Sequence, residues 1–154
     1  MIIVIEGPDG SGKSTLALKL QKALSWPIQP SEGPEKYPGE IETRCQKYLS
    51  MDRTLFDRHP CVSQNIYGRY RGRLVTTGSF YTSNPFLIYC PGDGLLTGHV
   101  VKEHDSPEHL EMLDKHHHSI CQDYDRWALA RATWIQRKED PTDRLIEAIK
   151  GITK

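Results

Sequence analysis

The stretch Met1–Leu24, MIIVIEGPDGSGKSTLALKLQKAL, decides the fold of this chain. Its first five residues are apolar and predict a buried β-strand, and Leu16, Leu20 and Leu24 then recur at the spacing of an α-helix. Between strand and helix, residues 7–14 read GPDGSGKS and match the pattern G-x-x-x-x-G-K-[ST] at every fixed position. A simple glycine turn between core elements would not require this match. The stretch therefore predicts a phosphate-binding loop, the Walker A motif.

The residues of this loop suit the binding of a nucleoside triphosphate. Glycines let the backbone curl so that successive N–H groups point at one anion, and the following helix presents its positive end to the same place. Lys13 would contact the β- and γ-phosphates, and Ser14 would supply a hydroxyl ligand to Mg²⁺. We therefore predict ATP and Mg²⁺ as cofactors. The predicted nucleotide-binding residues are Gly7, Asp9, Gly10, Ser11, Gly12, Lys13, Ser14 and Thr15.

The composition predicts one globular domain over residues 1–154. A chain of this length can bury one core and has little room for a second. The 20 acidic and 20 basic residues balance, so no global charge attracts nucleic acid or a membrane. The first apolar run is too short for a membrane span or a signal peptide, and the scattered cysteines form no C-x-x-C pair. We therefore expect reduced thiols and a cytoplasmic location.

A second candidate site follows a later strand. Residues 54–58, TLFDR, predict an apolar strand that ends in the acidic residue Asp57, and Arg58 follows immediately. In phosphate-loop proteins a carboxylate at the end of a neighbouring strand serves Mg²⁺, and this Walker B role is predicted for Asp57. Arg58 would point into the cleft and stabilise charge on a transferring phosphoryl group, although a surface ion pair is the alternative.

The basic residues are concentrated at 67–73, YGRYRGR, where the next predicted helix ends. Their guanidinium groups could bind phosphate oxygens, or they could be solvated cations that the helix dipole favours. Both interpretations stay open at this point. Arg69 is the first choice for a functional residue.

The rest of the chain alternates strands and helices. Pro27 places the second strand at an edge of the sheet. Arg44 is expected on the exposed face of its helix and Leu49 on the buried face. Pro141 is expected at the first position of the last helix and Gly151 at its end. The alternation predicts a parallel sheet covered on both faces. The remaining strands are predicted at 25–29, 86–90 and 133–136, and the remaining helices at 40–51, 60–70, 107–130 and from 141 onward.

Three consecutive histidines, His116–His118, lie in the longest predicted helix, and Cys121 is four residues after the second of them. Such a set suggests metal ligands. However, adjacent residues on a helix are about 100° apart around its axis, so these side chains cannot converge on one ion. We therefore interpret the histidines as structural, and Ser14 and Asp57 are the predicted metal ligands.

Two motifs carry a resemblance to a known family. Residues 6–20, EGPDGSGKSTLALKL, resemble the phosphate loop of thymidylate kinases, which usually read E-G-x-D-G-x-G-K-[ST]-T. FDRH at 56–59, followed by SQNIY at 63–67, is similar to the Asp-Arg-aromatic signature of that family. The resemblance covers about half of the chain, and the compact pattern looks like small homologues encoded by bacteriophages, which would place the protein in the host cytoplasm.

The resemblance implies a fold, a reaction and a set of residues. It implies a three-layer α/β P-loop fold, with a five-stranded parallel sheet in the order 2-3-1-4-5. Family members are kinases of nucleotide biosynthesis that transfer the γ-phosphoryl group of ATP to a deoxynucleoside monophosphate. Asp9 would then bind the sugar hydroxyl of the acceptor, and Asp57 and Arg58 would serve the metal and the acceptor phosphate. With Lys13 and Arg69, these three residues form the predicted catalytic set.

The chain departs from the family pattern in its cations. Residues 31–34, SEGP, stand where the family has Arg-Glu-Pro-Gly, so Arg44 becomes a candidate for the missing arginine. The segment after Cys90 lacks an arginine-rich lid and offers only Lys102. Phosphoryl transfer between two anions needs cations around the migrating group. They would come from a partner or from the arginines at 58, 69, 71 and 73.

Three functions remain open. The leading prediction is a deoxynucleoside monophosphate kinase, whose base pocket would include Tyr67, Tyr70 and Phe80. The second is a kinase for a hydroxyl group of a nucleoside or of a modified base in DNA, with Glu32 as the general base. The third is a non-catalytic ATP-binding module. A nucleotide is the expected partner, a homodimer is left open, and nucleic acid is a partner only in the second case.

Overall fold

The structure, a computed structural model, describes residues 1–73, 80–93 and 105–154. Parallel strands form one five-stranded sheet in the order β2-β3-β1-β4-β5, which confirms the predicted fold class. The strands are β1 (Ile3–Glu6), β2 (Ile28–Gln29), β3 (Leu55–Asp57), β4 (Phe86–Tyr89) and β5 (Trp134–Ile135). The helices are α1 (Lys13–Leu24), α2 (Glu40–Leu49), α3 (Pro60–Arg71), α4 (Pro107–Arg131) and α5 (Asp143–Ile152), and a short 3₁₀ turn lies at Tyr81–Ser83.

Alternate side chains of the central strands pack against opposite helical layers, as the period of a β-strand requires. Val4 and Leu87 belong to a core shared with α2, α3 and α4. Ile5 and Ile88 belong to a second core shared with α1 and α5. The sheet is therefore covered by helices on both faces, and its fully buried central strands explain the continuous apolar runs in the sequence.

The register of β1 positions the functional segments. Ile5 lies beside Asp57 of β3, and Glu6 lies beside Tyr89 of β4. The carboxyl ends of these strands therefore meet at one edge of the sheet, directly below the phosphate loop. Ligands of open α/β sheets bind at this edge.

Predictions about individual side chains on α2 are wrong. Arg44 is buried and only 7% exposed, because Glu32, Glu40 and two backbone carbonyls surround its guanidinium group. Leu49 is 36% exposed, since it lies in the last turn of α2 beyond the core contacts of Tyr48. Helical spacing alone cannot indicate that a charged residue has found buried partners.

The predicted boundaries of the last helix are also wrong. Pro141 precedes the N-cap residue Thr142, because Asp140 belongs to a separate turn in which its carboxylate accepts from the backbone of Arg137. Gly151 lies inside α5 rather than at its end, and Thr153 is the C-cap. The structure assigns no positive φ to Gly151, so this glycine is not used as a stop signal.

Several predictions concern the histidines, the cysteines and the connecting segments. His117 is buried on α4, with its Nε2 3.5 Å from the sulfur of Cys121. The sulfurs of Cys45 and Cys61 lie 3.0 Å apart, and all four cysteines are free thiols. Lys102 and residues 74–79 lie outside the described residues. In the described ranges, no helix is long and apolar enough to cross a membrane.

Candidate active site

The phosphate loop forms a tight cradle between β1 and α1. Gly7 adopts φ 153°, and a Cβ at this position would lie 2.1 Å from the carbonyl oxygen of Cys90. Gly12, the N-cap of α1, adopts φ 87°, which favours glycine. The loop can therefore close against β4 and aim its backbone at the start of α1, where the helix dipole favours an anion.

Lys13 lies at the centre of this cradle. Its Nζ donates to the carbonyl oxygen of Pro8 at 2.6 Å and to the hydroxyl of Ser11 at 3.3 Å. Burial and the nearby charge of Arg58 lower the pKa of Lys13 to about 8. An anionic phosphate in the cradle would favour the charged ammonium and offset these two effects.

Ser14 and Asp57 are brought together from two elements. The hydroxyl of Ser14 donates to the Asp57 carboxylate at 2.6 Å, although the residues are 43 positions apart in the chain. Hydroxyl and carboxylate oxygens are ligands that suit Mg²⁺. The pair therefore fits the predicted metal site, beside the cradle and at the carboxyl edge of β3.

Asp9 and Arg58 form the other side of the site. Nη2 of Arg58 donates to Asp9 Oδ1 at 2.8 Å, and the hydroxyl of Tyr67 donates to Oδ2 at 3.1 Å. The Nε2 atom of His109 lies 3.7 Å from the same Oδ2. Burial would raise the pKa of Asp9, but Arg58 and His109 outweigh it and hold that pKa well below its usual range. Asp9 is therefore a firmly ionised carboxylate and a weak base.

Arg71, rather than Arg69, is the second arginine of this region. Arg58 and Arg71 lie over the ring of Tyr67, with guanidinium carbons 4.9 and 5.6 Å from its centroid. Arg71 also donates to Nδ1 of His109 at 2.9 Å. Tyr67 and Arg71 share one face of α3 because they are four residues apart. Arg69 points elsewhere: it is 61% exposed and pairs with Asp123 of α4.

Arg44, the candidate for acceptor binding, and Glu32, the candidate general base, are engaged outside the cleft. Nη1 of Arg44 donates to the carbonyl oxygen of Gly33 at 2.7 Å, and its Nη2 donates to Glu40 at 2.6 Å. Glu32 lies 3.2 Å from Arg44 Nε. Neither Glu32 nor Arg44 is among the described residues that line the cleft. Arg44 therefore anchors the loop after β2 to α2 instead of reaching a substrate.

One cleft of about 730 Å³ joins these features. Predicted residues that line it include Lys13, Ser14, Asp57, Asp9 and Arg58. Of the three aromatic residues predicted for a base pocket, only Tyr67 lines the cleft. The hydroxyl of Tyr70 donates to Asp123, and Phe80 is buried against His59 at a ring distance of 4.4 Å.

Sequence reasoning missed several residues of the site. His109 reaches the cleft from the first turn of α4, and Lys138 enters from the loop after β5 with its stem against Gly12. Glu6 and Tyr124 lie buried beneath Arg58. Only Glu6 carried a usable signal, because a carboxylate at the end of a buried strand needs a partner. The others depend on how α4 and the β5–α5 loop are placed.

Solved structures of other proteins share the fold of this chain. No protein-family model and no curated protein matches the chain. YorR from Bacillus subtilis, solved in complex with phosphorylated GDP, is 20% identical with a TM-score of 0.71, covering 99% of this chain and 95% of its own. Deoxyadenosine kinase from M. mycoides with bound dATP is 16% identical with a TM-score of 0.59, covering 99% of both chains.

A second structure of the M. mycoides kinase, with dCMP and dCDP, is 17% identical with a TM-score of 0.57, covering 99% of this chain and 98% of its own. The chain therefore has a P-loop fold of the kind found in nucleoside and nucleotide kinases. At these identities the likeness concerns the fold. The finer resemblance to thymidylate kinases and the bacteriophage origin stay predictions.

Proposed function

We propose that this protein is an ATP-dependent kinase that phosphorylates a deoxynucleoside monophosphate. One observation carries the proposal: the Lys13 cradle with the Ser14–Asp57 pair and the two guanidinium groups of Arg58 and Arg71 open into a single cleft. The cradle and the Ser14–Asp57 pair suit a triphosphate donor. The two guanidinium groups suit an acceptor that also carries a phosphate.

The donor end would act by holding charge in place. Backbone N–H groups of the loop and the ammonium of Lys13 would bind the β- and γ-phosphates. Ser14 and Asp57 would hold Mg²⁺, which neutralises negative charge on the phosphate oxygens when bound. These residues keep the γ-phosphorus fixed while its bond to the β–γ bridging oxygen breaks and the electron pair leaves with ADP.

The acceptor end would present a nucleophile that is already ionised. The new bond forms between the γ-phosphorus and an oxygen of the acceptor phosphate, so no general base is required. Arg58 and Arg71 would bind the other acceptor oxygens and offset the repulsion between two anions. Asp9 would bind the sugar hydroxyl of the acceptor. Together with Tyr67 it would orient the deoxynucleoside part.

The surroundings of Glu32 and Asp9 favour this acceptor over a free hydroxyl group. A hydroxyl acceptor needs a carboxylate base in the cleft. Glu32 is paired with Arg44 instead, and its hydrogen bond with Tyr48 contributes, after burial, to a raised pKa of Tyr48. Asp9 is held ionised by Arg58, so it accepts a proton poorly.

An acceptor panel tests the proposal. ADP formation would be measured with ATP and Mg²⁺ against common and modified deoxynucleoside monophosphates, free nucleosides and DNA oligonucleotides, and the phosphorylated products identified by mass. We expect a diphosphate product, and dTMP is the first acceptor to test. Lys13→Ala is the control for contaminating kinases. Turnover with nucleosides or oligonucleotides only, or ATP binding without any transfer, would contradict the proposal.

A further inference from the structure

Arg58 is held in an unusual backbone conformation. Its φ of 71° lies in the left-handed region, which is strained for a non-glycine residue. Such a conformation persists only where the surroundings hold it. Here the backbone N–H of Arg58 donates to the carbonyl oxygen of Ile5, and the next N–H, that of His59, donates to Glu6 Oε1 at 2.6 Å. The end of β1 therefore accepts hydrogen bonds from the backbone on both sides of the Arg58 Cα atom.

The side chain of Arg58 is held by two different groups. Its Nη2 donates to Asp9 in the cleft, and its Nη1 donates to the hydroxyl of Tyr124 at 3.2 Å. Tyr124 is fully buried on α4 and lies outside the cleft lining of the described residues. Arg58 thus directs Nη2 toward the cleft, while Nη1 is anchored in the interior.

Glu6 connects the two kinds of restraint. The hydroxyl of Tyr124 donates to Glu6 Oε2 at 2.9 Å, so its oxygen lone pairs are free to accept from Arg58. The other oxygen of the same carboxylate holds the His59 backbone. One buried carboxylate therefore orients Arg58 both through the main chain and through Tyr124.

We propose that Tyr124 is a positioning residue for Arg58, and that Glu6 orients the hydroxyl group through which Tyr124 acts. The inference rests on the proposed function, in which Arg58 binds the acceptor phosphate. Tyr124 would contact no substrate itself. Its hydroxyl would keep the guanidinium group at the place where the acceptor and the migrating phosphoryl group meet.

The expected effect follows from the sensitivity of transfer reactions to geometry. A misplacement of about 1 Å in a positioning group can cost on the order of 100-fold in rate. Tyr124→Phe keeps the ring, and with it the ring contacts to Tyr67, Tyr89 and Trp127. Because only the hydroxyl is lost and Asp9 still holds Arg58, we expect kcat to fall about 10-fold.

Tyr89→Phe is the matched control. Tyr89 is also a buried tyrosine, its ring stacks on Tyr124, and its hydroxyl donates to Asp125 of α4 at 2.5 Å, away from Arg58. Both variants lose one tyrosine–carboxylate hydrogen bond. Because Glu6 is buried and Asp125 is exposed, the two variants can differ in stability, so they are compared by their kinetics and by the Arg58 signal of the folded protein.

The experiment measures steady-state kinetics and the ¹⁵N signal of the Arg58 guanidinium group, both at pH 8. We expect Tyr124→Phe to lower kcat and raise the KM for the acceptor, while the KM for ATP stays within about 2-fold because the donor contacts come from the phosphate loop. We also expect the ¹⁵N signal of the Arg58 guanidinium group, assigned by its loss in Arg58→Lys, to shift or broaden in Tyr124→Phe but not in Tyr89→Phe. Equal kinetics in the two tyrosine variants, or an unchanged Arg58 signal, would overturn the proposal.

The two proposals can fail separately. If the wild-type protein phosphorylates no acceptor, the proposed function fails, and the Arg58 signal still decides whether Tyr124 positions the guanidinium group. If Tyr124→Phe does not fold, the same signal is read in Glu6→Gln, whose amide would donate to the Tyr124 oxygen and compete with Arg58. An unchanged Arg58 signal in Glu6→Gln would then overturn the inference.

Discussion

The proposed function divides the cleft into a donor half and an acceptor half, and the two are built in different ways. The donor half consists of the phosphate loop, which is continuous in the chain, and Asp57 from the neighbouring strand. The acceptor half combines Asp9 with side chains from three other segments: Arg58 after β3, Tyr67 and Arg71 on α3, and His109 on α4.

This difference separates local from long-range determinants. The donor half relies on backbone N–H groups whose directions follow from a short glycine-rich motif. The acceptor half relies on polar and charged side chains whose partners are 38 to 100 positions away in the chain. We therefore expect changes in the donor half to abolish turnover, and changes in the acceptor half to affect the acceptor selectively.

The largest expected effect is in the donor half. Lys13→Ala removes the buried ammonium group from the centre of the cradle, so kcat should fall about 100- to 1000-fold. ADP formation at saturating acceptor is the measurement. Lys22→Ala, an exposed lysine on the same helix, is the control and should keep wild-type turnover. A loss of less than about 10-fold in Lys13→Ala would show that this half does not depend on the lysine.

A smaller and selective effect is expected in the acceptor half. Arg71→Gln removes a guanidinium group from the cleft and should raise the KM for the acceptor about 10- to 30-fold, with little change in the KM for ATP. Arg69→Gln, two residues away on the same helix, should have almost no effect because that side chain is exposed beside Asp123. Steady-state kinetics with each substrate varied distinguish the two. The reverse order of effects would contradict the assignment of α3 faces.

Glu6, buried beneath Arg58, should make the stability of the protein depend on pH. Burial raises the pKa of Glu6 from 4.5 to about 7, against the opposing effect of Arg58. Between these values the folded protein keeps a proton that the unfolded chain has released, so the free energy of unfolding falls as pH rises from about 4.5 to 7. Among the described residues, the groups that interact electrostatically or by hydrogen bonds with Glu6 include Lys13, Arg58, His59, Cys61, Tyr81, Cys90 and Tyr124.

Urea unfolding of the wild-type protein and Glu6→Gln at pH 5 and pH 8 measures this effect. The wild-type protein should lose about 2 kcal/mol more than the variant between the two pH values. The comparison between proteins is needed because burial lowers the pKa of His59 to about 3, and this group shifts stability in the opposite direction. Parallel pH dependence of the two proteins would rule out Glu6 as the source.

The smallest effect is expected at Glu32. Because this carboxylate is paired with Arg44 outside the cleft, Glu32→Gln should change turnover by no more than about 3-fold. Glu35→Gln, on the same loop and paired with Arg73, is the matched control. A collapse of turnover in Glu32→Gln alone, with the fold intact, would make Glu32 a general base and would indicate a hydroxyl acceptor.

The success of sequence reasoning followed the same division. The strand order was predicted from the resemblance to thymidylate kinases. The meeting of Ser14 with Asp57 was predictable because the motif and the parallel topology constrain where strand ends lie. The choice of Arg69 over Arg71 was not settled by composition, since both belong to one basic run. Only the packing of α3 shows which side of the helix faces the cleft. Arg44 was misplaced for a similar reason, because its partners lie on a loop that has no periodic pattern.

The sequence by itself determined the phosphate loop, the alternating strands and the position of the proposed donor site. These features depend on local backbone geometry and on the period of buried residues. The tertiary structure decided the composition of the proposed acceptor site: which arginines face the cleft, that His109 reaches Asp9, and that Tyr124 lies behind Arg58. Those contacts depend on how distant helices rotate and pack, and no short stretch of the chain encodes that arrangement.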